Sequence, residues 1–89
     1  MKLRPRVQAF AELMEAKLRK HDGDRGPRGW GGDHWRELHY RLREEVLELE
    51  DALLLFHPSP RRVRSEAADV ANFAMMIADV CGGLPAEEE

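Results

Sequence analysis

Apolar residues recur at steps of three and four in three separate runs, and no run alternates with the period of two that a half-buried strand requires. The longest is Trp35, Leu38, Leu42, Val46, Leu49, Leu53 and Phe56. That spacing predicts an amphipathic helix over about 33–56, with Asp33 as its N-cap and His57-Pro58 as its end. A thinner stripe on the same segment, Tyr40, Leu47 and Leu54, advances by sevens. A helix with two apolar stripes is expected to contact more than one neighbour. An earlier helix is predicted over about 5–20, with Pro5 in its first turn and Val7, Phe10, Met14 and Leu18 on one face. A third is predicted over about 60–81, capped by Ser59, opened by Pro60 and stopped by Gly82-Gly83 and Pro85. The expected class is therefore all-α.

The connections carry information too. Residues 23–32 contain five glycines and a proline. Such a segment is longer than a helical connection needs, which marks it as a candidate binding loop. With 89 residues the chain is expected to form one domain over 1–89, with 84–89 as a frayed acidic tail. A chain this short builds a modest core and is often completed by oligomerisation. Here the expectation is a three-helix protomer that completes a four-helix bundle as a homodimer or a dimer of dimers.

Charge excludes some partners. The net charge is −3 with both signs interspersed, so duplex nucleic acid is not the expected partner. The local run Arg61, Arg62 and Arg64 reads as a solvated first helical turn. Cys81 is the single cysteine, which permits no intrachain disulfide and fits a reducing cytoplasm. No long apolar stretch suggests a signal peptide or a membrane span.

Two acidic pairs lie at helical spacing: Glu45 with Glu48, and Glu66 with Asp69. At about 100° per residue, Glu66 falls within the apolar face of the third helix, in line with Phe73 and Ile77. Glu45 borders the main stripe of the second helix, and Glu44 and Glu48 share the arc between its two stripes. Pairing with Arg41, Arg62 or Arg64 is one way to satisfy these acids. A bound cation is the other, because isolated carboxylates on packed surfaces raise their pKa and protonate. All-oxygen ligation suits Mg²⁺, with Mn²⁺ as a substitute. The absence of H-E-x-x-H and of paired cysteines disfavours zinc, and neither pair is the Glu-x-x-His of carboxylate di-iron bundles. His21, His34, His39 and His57 have no ligand spacing.

Glu44-Glu45-Val46-Leu47-Glu48 followed by Glu66-Ala67-Ala68-Asp69 resembles the E-x-x-E and E-x-x-D motifs of the MazG-like all-α nucleoside triphosphate pyrophosphohydrolases. The segment EAADVANFAMMIAD, Glu66 to Asp79, resembles the compact phage and bacterial branch, as do Lys17-Leu18 and Gly29-Trp30 around the glycine-rich loop. The resemblance spans about 10–80. It implies Mg²⁺ ligation by Glu45, Glu48, Glu66 and Asp69, and hydrolysis of a (d)NTP between its α- and β-phosphates to give (d)NMP and pyrophosphate. Glu44, matching the doubled glutamate, would be a ligand or an orienter of water, and Glu44 and Glu45 are the catalytic candidates. Lys17 either reaches the polyphosphate or snorkels to solvent. Asn72 either contacts sugar or phosphate or is an ordinary exposed side chain. Arg28 in the loop is a candidate phosphate clamp and Trp30 a candidate for base stacking. Trp35 lies at the start of the main stripe and is either core or binding. Two rival expectations stand beside the enzyme: a non-catalytic helical dimerisation or regulatory module, and a nucleotide sensor without turnover.

Overall fold

A computed structural model describes residues 1–85; the acidic tail at 86–89 lies outside the described residues. The chain is helical, and no strand forms among the described residues. Helix α1 runs Pro5–Arg19, α2 is the single turn Asp22–Arg25, a 3₁₀ turn covers Gly29–Gly32, α3 runs Trp35–Leu53 and α4 runs Pro60–Val80. The glycine-rich segment is thus two short turns separated by Gly26, whose φ of 80° only glycine adopts freely.

Helix α3 is shorter than 33–56 at both ends. Its N-cap is His34, not Asp33: His34 Nδ1 accepts from the Arg36 N–H at 3.1 Å. Asp33 is engaged elsewhere, its two carboxylate oxygens receiving the Arg25 guanidinium at 3.1 and 3.3 Å. At the other end α3 stops at Leu53. Pro58 has no N–H for the Leu54 carbonyl and Pro60 none for that of Phe56, so further turns would carry orphan acceptors. Helix α4 starts as expected, the Ser59 hydroxyl accepting from the Arg62 N–H at 3.3 Å. It closes in a Schellman arrangement, with Gly83 N–H on the Ala78 carbonyl, Gly82 N–H on the Asp79 carbonyl, and Gly82 at φ 79°.

Packing differs from the sequence expectation in one respect. The central helix is α4; both α1 and α3 pack on it, α3 most extensively. The expectation that the two-striped α3 contacts several neighbours is not met within the protomer. Its thin stripe, Tyr40, Leu47 and Leu54, is exposed instead. Periodicity shows that a face is apolar but not what covers it.

The core is correspondingly small. Only Leu38, Ala52 and Ala68 are buried apolar side chains among the described residues, the two alanines completely. Alanine permits close helix approach, so the contact tolerates no added bulk. Ala68→Leu is expected to destabilise the protein by about 1–3 kcal/mol through overpacking. A denaturant midpoint unchanged from that of the native chain would count against this view of the α4 contact.

Candidate metal centre and adjoining cleft

Glu66 and Asp69 project from one face of α4, one turn apart, towards the edge of α3 that carries Glu45. Each of the three offers a carboxylate oxygen within 4.8 Å of the others, and all three side chains are half-buried. Burial pushes the Glu45 carboxyl up from the ordinary glutamate value, and the neighbouring charges of Asp69 and Glu66 push it further; Arg41 partly offsets them. Asp69 is met from the opposite side by α1, where Lys17 Nζ lies 3.0 Å from its Oδ1. Three carboxylates against the Lys17 ammonium and the charge of Arg41 leave the site short of positive charge. The donor set is oxygen only and still open to solvent. That fits a hard divalent cation, which takes one or two carboxylates and keeps waters.

The other sequence candidates fall in different places. Glu48 is exposed and outside the group. Three residues on from Glu45, it is rotated about 60° around the helix, beyond the α3–α4 contact. Glu44 is exposed and turned back to Arg41, whose Nε lies 3.7 Å from its Oε1. Asn72 is 4% exposed, so the alternative of an ordinary exposed Asn is overturned. Its Nδ2 donates to the Met14 carbonyl at 3.2 Å, which ties it into the α1–α4 contact, and its Oδ1 has no partner. Trp35 is 43% exposed, beside His34 and under Arg36, and is not among the buried core side chains.

Arg28 and Trp30 share a partner that sequence reasoning missed. Arg28 Nε and Trp30 Nε1 both donate to Asp79 Oδ2, at 2.7 and 2.9 Å. These bonds, Arg28 foremost, hold the Asp79 carboxyl below its ordinary value. Trp30 therefore does have a helix to pack on, through the last turn of α4. The available signal was an acid at the penultimate position of the helix, among apolar neighbours Ile77, Ala78 and Val80.

This pinning shapes a cleft of about 320 Å³ between the glycine-rich segment, the start of α3 and the middle of α4. Leu18, Leu38, Phe73, Met76 and Trp30 supply apolar lining, and acids line the rim. Arg41 also lines it, with its guanidinium 5.1 Å from the centroid of the Phe73 ring. The cleft and the acidic group adjoin, because Arg41 and Phe73 each lie four residues from Glu45 and Asp69.

No family model, curated protein or solved structure matches the chain.

Proposed function

We propose that the chain is a Mg²⁺-dependent nucleoside triphosphate pyrophosphohydrolase of the MazG-like kind. The observation that carries the reading is the convergence of Glu45, Glu66 and Asp69 from two helices within 4.8 Å. The E-x-x-E and E-x-x-D spacing supports it, as does a cleft of substrate size one helical turn away. Glu45, Glu66 and Asp69 would hold the cation, with Glu48 reaching it only through a different side-chain rotamer. The chemistry supplied by a bound Mg²⁺ is neutralisation of phosphate charge and acidification of a water. Whichever of these carboxylates the cation left partly free would be placed to accept a proton from a nearby water. Lys17, beside Asp69, is within reach of a phosphate oxygen at the same edge.

The working unit in this reading is a homodimer. The chain exposes 7247 Å². A compact monomer of its 10.3 kDa exposes about 5,400 Å². The radius of gyration is 14.1 Å, against about 12 Å for a compact chain of 89 residues. The surplus, roughly 1,900 Å², is of the order that a subunit loses in an obligate dimer. The exposed stripe on α3 is the face a second copy would cover.

The reaction is tested by incubating the protein with each NTP and dNTP and Mg²⁺. Pyrophosphate release without orthophosphate is expected. Absence of turnover with every nucleotide, in a protein that still pairs, would leave the helical dimerisation module as the better description.

A further inference from the structure

The cleft beside the acidic group has a chemical bias of its own. Its apolar lining includes Trp30 and Phe73, which offer flat faces. The Trp30 indole is held in place by its bond to Asp79. The charged rim is unbalanced. Arg25 has its guanidinium fork occupied by Asp33, and Arg41 is drawn over Phe73. Asp22 and Asp24 on α2 and Glu37 on the first turn of α3 line the same space without a side-chain hydrogen bond among the described residues. Arg25 acts on Glu37 and Arg19 on Asp22 through charge alone, without an ion-pair contact.

Such lining repels phosphate and favours a flat ring whose edge donates hydrogen bonds. Arg41 and Phe73 mark the end of the cleft nearest the acidic group, about 6 Å, one helical turn, from Glu45 and Asp69. A nucleotide with its ring in the cleft therefore directs its phosphates towards Lys17 and the carboxylates. We propose that the cleft is the base subsite and that it selects bases carrying an exocyclic amino group, with Asp22 and Glu37 as the accepting groups. This rests on the nucleotide reading above and adds the class of base. Cytosine and adenine present an amino group where uracil and hypoxanthine present a carbonyl oxygen, which a carboxylate repels.

The test uses nucleosides, which carry no phosphate and need no cation. Trp30 and Trp35 are the two tryptophans, so Trp35→Phe leaves Trp30 as the reporter. Cytidine and adenosine are expected to quench its emission at concentrations at least about tenfold below uridine and inosine. Asp22→Asn and Glu37→Gln place an amide, both donor and acceptor, where only an acceptor stood. Together they should reduce the preference to within about threefold while binding persists. Equal binding of cytidine and uridine, no quenching by any nucleoside, or a preference that survives both substitutions overturns the proposal. Pyrophosphate release from dUTP and dCTP alike would remove the base selection and leave the hydrolase reading standing. Nucleoside selection without pyrophosphate release would do the reverse.

Discussion

In the presence of a chelator at pH 7, Glu45→Gln should melt at a higher temperature than the native chain. Burial and the charges of Asp69 and Glu66 raise the folded-state pKa of Glu45 above its value in the unfolded chain. A group raised in this way contributes stability below its unfolded value, near 4.5, and that contribution is lost as the pH climbs through the folded value. At pH 7 the ionised Glu45 is therefore a cost, and an isosteric amide removes it. Like-charge contacts at a partly open site cost up to about 1 kcal/mol. The expected gain in Tm is thus up to roughly 4–8 °C for a domain of this size. The difference between the two proteins should close as the pH is taken below about 4. Mg²⁺ should then reverse their order. At a hundred times its Kd, a cation that binds only the folded state adds about 2.7 kcal/mol to the native chain. The variant, with its ligand set reduced, should gain much less, and its pyrophosphate release should fall by at least about a hundredfold. Parallel melting of the two proteins with and without Mg²⁺ would remove Glu45 from the candidate centre.

The second large effect concerns the surface of α3. Leu54, which caps the end of α3, is 82% exposed, and it continues the stripe of Tyr40 and Leu47 at seven-residue steps. A double substitution, Leu47→Lys with Leu54→Lys, places two like charges where the second copy is proposed to lie. The molar mass in light scattering should drop from twice 10.3 kDa to 10.3 kDa. Leu47 is 60% exposed and Leu54 82%, so the substitutions fall on side chains that lie mostly in solvent within the protomer. Should folding itself depend on pairing, the native chain will show a Tm that rises with protein concentration, and the variant will lose helical signal. A native chain that is monomeric at micromolar concentration, with a concentration-independent Tm, excludes the dimer.

Much of the helical layout was legible because it depends on local chemistry. Steps of three and four marked the three long helices, and Ser59-Pro60 and Gly82-Gly83 set the limits of α4. The Glu66–Asp69 pair and its alignment with Phe73 were readable from helical geometry. What escaped the sequence depends on partners distant in the chain. Asp33 looked like a cap, but Arg25 competes for it. Glu48 shares the spacing of Glu45, yet its side chain is exposed and acts on Glu45 through charge, outside the group of three. Trp30 looked free because Asp79, 49 residues away, cannot be paired with it from sequence. The order of packing, with α4 between α1 and α3, was likewise hidden, since an apolar stripe carries no address.

One buried group supplies part of that address. Met14 meets Asn72, and Lys17 meets Asp69; three steps up α1 match three steps down α4. Apolar side chains spaced by turns would allow α1 to slide along α4 and settle again one turn away. Asn72 Nδ2 bonds the Met14 carbonyl, so a slip by part of a turn takes that carbonyl away, while a slip by a whole turn puts Leu13 or His21 where Lys17 now meets Asp69. A buried asparagine in a helical interface lowers stability and fixes alignment. Its unpartnered Oδ1 is the visible cost here. Asn72 and Lys17 together index α1 to α4: the amide sets the position within a turn, and the ammonium opposite Asp69 sets which turn.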